Sequence, residues 1–147
     1  MEIERVNVLQ GFMANLGHSW SDLTILELAL MHSSYANQVG CAPNERLEYL
    51  GDSVLDLLTA EHLMMKHSDQ REGFLSQQRA EMVRMCSLAS KARVLGVGEV
   101  LNVGKGADYL RTTESVLADA LEAVIGAAYI DGGLPAARTV AKKAGIL

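Results

Sequence analysis

Two stretches of the chain carry carboxylates spaced as if to work together. NERLEYLGDSVLDLL, residues 44–58, places Glu45, Glu48, Asp52 and Asp56 at steps of three, four and four. Those steps return to one side of an α-helix. Like charges so placed destabilise an isolated helix by about 0.2–0.5 kcal/mol per pair, and no Lys or Arg lies between them on that face. ESVLADALEAVIGAAYIDGG, residues 114–133, places Asp119 and Glu122 three apart. If the two faces oppose each other, Glu48, Asp52, Asp119 and Glu122 converge. Oxygen donors without His or Cys suit Mg²⁺ or Mn²⁺, which keep waters and bind substrate phosphates. Carboxylate-held Mg²⁺ beside a phosphodiester is the equipment of metal-assisted hydrolysis. Spacing alone does not bring the two segments together, and two solvated acidic faces are the alternative.

The elements that must position these acids are helical. Behind the first acidic face run Leu47, Leu50, Val54, Leu57 and Leu58, an amphipathic stripe that predicts a helix opened by Pro43 and Asn44 and ending near Lys66. The second acidic segment predicts a helix over 114–131, closed by Asp131-Gly132-Gly133, with Gly126, Ala127 and Ala128 letting a neighbour approach closely. Residues 2–16 read as a first helix ended by Gly17. Ser21 is the expected cap of a second, carrying Leu23, Leu26, Leu30 and Met31. Residues 33–44 read as a loop and 68–73 as a turn. A helix follows from about Phe74 to Met85, and another capped by Ser87 ends near Gly96. The Gly-rich stretch 96–113 reads as a mobile loop. Pro135 suits the first turn of a last helix stopping at Gly145. There is no internal repeat and no low-complexity linker.

Composition agrees. The chain has 147 residues, 49% hydrophobic but only 5% aromatic, with two prolines. A core of Leu, Ala, Val, Ile and Met predicts a single all-α domain. The net charge of −5 argues against a nucleic-acid partner unless bound divalent ions offset it. Cys41 and Cys86 lie far apart, as free thiols in a reducing compartment would. The N-terminus lacks a signal-peptide pattern. The longest apolar run, 123–130, is far short of the roughly 18 residues of a membrane span. A cytoplasmic protein without membrane contact or organic cofactor is expected. His18, His32, His62 and His67 form no ligand set, and a structural hydrogen bond is expected for His32. GHSWS lacks the closing Gly of a nucleophile elbow, and NVGKGA misses phosphate-loop spacing.

The motif NERLEYLGDSVLDLL closely resembles the signature of the ribonuclease III family of double-stranded-RNA endonucleases. LALMHSSYAN resembles the family's preceding segment, EGFLSQQRAEMVR the following helix and ESVLADALEAVIGAAYIDGG the second acidic motif. The order and spacing agree over roughly residues 11–140. The resemblance implies an all-helical endonuclease domain spanning 1–147 and working as a homodimer on double-stranded RNA. It implies Mg²⁺, with Mn²⁺ as substitute, held by catalytic Glu48, Asp52, Asp119 and Glu122, and products with 5′-phosphates and short 3′ overhangs. Glu122 is the acid expected to be indispensable. Glu45 and Glu72 match acids nearer the periphery of the cutting site, and Arg79 is the first choice for a phosphate contact among Arg46, Arg71, Arg79, Arg84, Lys105 and Arg111. Tyr49 stands where the family places an aromatic, usually Phe, that plugs into the partner subunit.

The family's double-stranded-RNA-binding domain is absent from this chain, so RNA binding is expected to be weak and salt-sensitive. Two rivals remain. One is a catalytically silent relative binding RNA or protein as a dimer, disfavoured because all four acids are present. The other is a carboxylate-metal phosphohydrolase of small substrates.

Overall fold

Two long helices, α4 (Glu45–Lys66) and α8 (Glu114–Lys143), cross at the centre of the computed structural model, which describes residues 1–147. They bury one another because both are apolar on the shared face: Leu47, Val54, Leu55 and Leu58 on α4, and Leu117, Leu121, Val124 and Ile125 on α8. Where they cross, backbone meets backbone. A Cβ on Gly51 would overlap the carbonyl oxygen of Glu122, and one on Gly126 the carbonyl oxygen of Leu47. A mid-helix glycine costs about 0.5–1 kcal/mol relative to alanine, and both are tolerated because no larger residue fits the crossing.

The other elements wrap this pair. They are α1 (Ile3–Leu16), α2 (Leu23–Ala29), α3 (Ser33–Val39), α5 (Glu72–Val83), α6 (Met85–Leu95), α7 (Val97–Val100) and a 3₁₀ turn at Asp108–Thr112. Leu9, Phe12 and Leu16 of α1, Leu26 of α2 and Leu88, Ala92 and Leu95 of α6 complete one core. There is no strand, and one parallel bridge joins Met31 to Asn102. The all-α expectation holds, and no helix is long and apolar enough to cross a membrane.

Several boundaries differ from the sequence reading. Residues 33–39 form a helix, not a loop. Its N-cap is His32, whose Nδ1 accepts the Ser34 amide at 3.1 Å, and Gly40 closes it at φ 75°. α2 is capped by Asp22, whose carboxylate accepts the Thr24 amide at 2.9 Å. Ser21 instead donates its own amide to Asp131. The helix predicted at 74–85 starts at Glu72 and stops at Val83, because Arg84 takes an extended conformation (φ −65°, ψ 155°). Ser87 therefore lies inside α6 and caps nothing. The stretch 96–113 is largely structured. Val97, Val100, Leu101 and Val103 are buried, and Arg111 donates to the carbonyls of Gly98 (2.9 Å) and Leu101.

α8 breaks where Asp131-Gly132-Gly133 predicted an end: Gly133 has φ 72° and ψ −168°, and Pro135 sits in the first turn beyond. The break is anchored by Asp131, which accepts from the His18 ring at 2.7 Å, the Ser21 amide at 3.0 Å and the Asp22 amide at 2.9 Å. Burial alone would raise the Asp131 carboxyl. The Ser21 amide, the His18 ring and the Asp22 amide together hold it below its ordinary range.

The crossing predicts a contrast among glycines. Gly51→Ala and Gly126→Ala should each destabilise the fold by about 2 kcal/mol or more, because the helices must separate. Gly11→Ala, on α1 with nothing near its added methyl, should stabilise it by about 0.4–1 kcal/mol. Urea unfolding of the three variants checks both signs.

Candidate active site

Gly51 lies between Glu48 and Asp52, and the Glu122 carbonyl rests against it. The close crossing therefore brings the acids of both helices into contact. Glu48 lies beside Asp119, and Asp52 beside Glu122, close enough for the side chains of each pair to perturb one another. Two carboxylates have only acceptors to offer one another, so each pair repels unless a proton or a cation comes between them. Burial pushes Glu122 upward first. The hydrogen bond and charge of Asp52, then the charges of Asp119 and Glu48, carry it to about 8. Burial also raises Glu48, reinforced by Asp119 and by the charges of Glu45 and Asp52. Asp119 is raised by burial and partly relieved by Glu48 and His32. His32 in turn is held below its ordinary value by burial, against the pull of Asp119.

The four acids stand as two pairs rather than as a closed cage, and no three His, Cys, Asp or Glu side chains surround one point in a way that would hold a metal ion. The chemistry of the donor set still fits a hard divalent cation. Oxygen acids raised by burial and by one another's charge, as Glu48 and Glu122 are, give up protons to a bound cation. A pocket of about 140 Å³ opens beside them, lined among others by His32, Asn44, Glu45, Glu48 and Asp119. Its wall is firm at Asn44, which is buried and donates its side-chain amide to the Ala29 carbonyl at 3.0 Å. The largest cavity, about 600 Å³, is a different one. It holds none of the four acids, and its Arg5 and Glu27 pair with each other at 2.8 Å.

Glu45 thus lines the pocket with Glu48 and Asp119, two of the four expected acids. Glu72 opens α5 and Arg79 lies further along it, and neither perturbs the acids. Asp56 is exposed and makes no ion pair. Tyr49 is on the outer side of α4, 80% exposed. Two site features escaped the sequence reading. Gly51 sets the crossing, and a glycine between two acids of a long helix was the available signal. His32 lines the acidic pocket as well as capping α3.

Residues 22–146 match the protein-family model described as Ribonuclease-III-like. The chain belongs to the ribonuclease III family. It is 49% identical over 125 residues to a Ribonuclease 3 of Symbiobacterium thermophilum, covering 84% of this chain and 53% of that protein. It is 44% identical over 135 residues to a Ribonuclease 3 of Coxiella burnetii, covering 90% and 56%. The chain thus spans about half the length of the curated relatives it matches. The solved nuclease domain of ribonuclease III from Campylobacter jejuni superposes with a TM-score of 0.83 at 34% identity, over 97% of this chain and 92% of that one. A second structure of that domain, described for flexibility in a region involved in dimer formation, gives 0.84 at 34% identity, over 97% and 95%. The ribonuclease III fold therefore holds across nearly the whole chain.

The raised Glu122 makes a signed prediction. Its penalty is absent below the ordinary carboxyl value of 4.5 and grows as pH rises through about 8, because the folded state holds the proton more tightly. Glu122→Gln should therefore raise the melting temperature in chelator by a margin that widens from about pH 5 to pH 8 and vanishes near pH 4. Discounted for the solvent that still reaches the group, the gain at pH 8 is on the order of 1 kcal/mol, or roughly 2–4 °C. Scanning calorimetry across that range checks it.

Proposed function

We propose that this chain is a catalytic domain that hydrolyses phosphodiester bonds of double-stranded RNA, dependent on Mg²⁺, with Mn²⁺ as substitute. The observation that carries this reading is the meeting of Glu48, Asp52, Asp119 and Glu122 at the α4–α8 crossing in a ribonuclease III fold. Mg²⁺ held by these four acids would supply an activated water and stabilise the leaving 3′ oxygen.

The remaining work falls to the chain's own groups. Glu122 gives up its proton before it can hold a cation, so activity rises with pH as that proton is lost. Glu45 adds negative charge at the pocket mouth and favours the cation. Arg79, without an ion-pair partner in the chain, is free to meet a backbone phosphate. Cleavage leaves a 5′-phosphate on one product and a 3′-hydroxyl on the other.

A homodimer accounts for the outer side of α4. Tyr49, Leu57 and Met64 recur at helical spacing and are 80%, 53% and 66% exposed. A partner covering them gives each strand of a duplex its own acidic pocket, and cuts offset across the groove leave short 3′ overhangs.

The test is long duplex RNA in low salt with Mg²⁺ or chelator, beside Glu122→Gln. The parent should cut only with metal, into fragments whose ends carry 5′-phosphate, and the variant should lose roughly 100-fold or more in rate. Sedimentation should show a dimer. Intact RNA with a folded, dimeric parent would instead identify a silent relative, and preferential hydrolysis of nucleotides a small-substrate enzyme.

A further inference from the structure

We infer that His32 is a positioning residue of the acidic pocket, presenting an Nε2–H donor to the Asp119 carboxylate from a ring whose tautomer is fixed by the capping of α3. The inference rests on the metal-binding reading of the four acids, and it concerns a residue outside that set.

The tautomer follows from hydrogen-bond chemistry. The Ser34 amide lies 3.1 Å from His32 Nδ1 and is the capping bond of α3. A backbone N–H can only donate, so Nδ1 must offer its lone pair. Ser34 Oγ lies 2.8 Å from the same nitrogen, and the Gly104 amide donates to that oxygen at 2.9 Å. Because the Ser34 amide already requires Nδ1 to be unprotonated, the hydroxyl is the donor of its contact with Nδ1. Both neighbours of Nδ1 are donors, so the single proton of the neutral ring sits on Nε2.

Nε2 makes no hydrogen bond within the chain. The ring lines the same pocket as Asp119 and Glu48. A neutral imidazole in one pocket with a carboxylate that binds a cation can turn its free N–H to that carboxylate. Its donor orients the carboxylate without competing for the ion, and losing it typically weakens metal affinity 10–100-fold. The chain of bonds from Gly104 through Ser34 to His32 also joins the 103–106 segment to the pocket wall. Lys105 in that segment donates its amide to Gln38 of the same helix α3 at 3.0 Å.

Two substitutions separate positioning from capping. His32→Asn keeps a strong capping acceptor but has no atom where Nε2 stood. His32→Gln places an amide nitrogen near the Nε2 position but loses the acceptor of the cap. Mn²⁺ affinity, read by electron paramagnetic resonance of the free ion, is measured beside thermal stability for the parent and both variants. The expected result is near-parent stability with about tenfold weaker Mn²⁺ binding for His32→Asn, and lower stability with near-parent Mn²⁺ binding for His32→Gln. Equal affinity in all three proteins, or affinity that simply follows stability, overturns the inference and leaves His32 a cap. Failure of the parent itself to bind Mn²⁺ at millimolar concentration overturns the metal reading of the pocket, and this inference with it.

Discussion

The contact of Gly51 with the Glu122 carbonyl, and of Gly126 with that of Leu47, is the constraint on which the site depends. It brings two helix backbones closer than any side chain allows. The acids leave their helices within a turn of that contact, at Glu48 and Asp52 on one side and Asp119 and Glu122 on the other. Their separation is thus set by main-chain contact, and main chain in a helix is stiffer than the rotamers of a packed core. Each glycine costs about 0.5–1 kcal/mol of helix stability. The buried Leu, Val and Ile residues around the crossing offset this many times over, since each contributes about 1.5–3 kcal/mol.

The same proximity works against the fold. Glu48, Asp119 and Glu122 all sit above their ordinary titration range, and burial leads the causes for each. No Lys or Arg is arranged to relieve them. Arg5 is committed to Glu27, Arg111 to Asp108 and Arg138 to Glu61. A fold selected for stability alone would place a cation among these acids. Leaving the site anionic keeps it open to an external one, a local conflict of the kind that marks functional sites.

Much of this was legible in the sequence because helix periodicity is a strong signal. The stripe Leu47, Leu50, Val54, Leu58 located α4 to within a residue or two, and Gly17 and Gly96 marked the ends of α1 and α6 through their left-handed conformations (φ 73° and 83°). The small residues from Gly126 to Ala128 announced a close approach, although only its partner, Gly51, shows where it occurs. α3 was hidden because its cap is a histidine, which capping preferences do not anticipate. The stretch 96–113 was hidden by its glycines. Gly98 is present because the Arg111 carbonyl crowds it, and Gly104 because the Ser34 carbonyl does; neither reflects flexibility. The break between α5 and α6 carries no Gly or Pro, so nothing local distinguished Arg84 from its neighbours.

α5 buries none of its own side chains. Its turns are held by their internal hydrogen bonds and by edge-on packing, so opening it exposes little apolar surface and costs little free energy. The persistence of such a helix depends on what lies against it in solution. Where a second copy of the chain provides that cover, mass action adds the partner's contacts to the stability of the folded state. The helix bearing Glu72 and Arg79, with the least cover of its own, is then the element whose order depends most on how many copies of the protein are present.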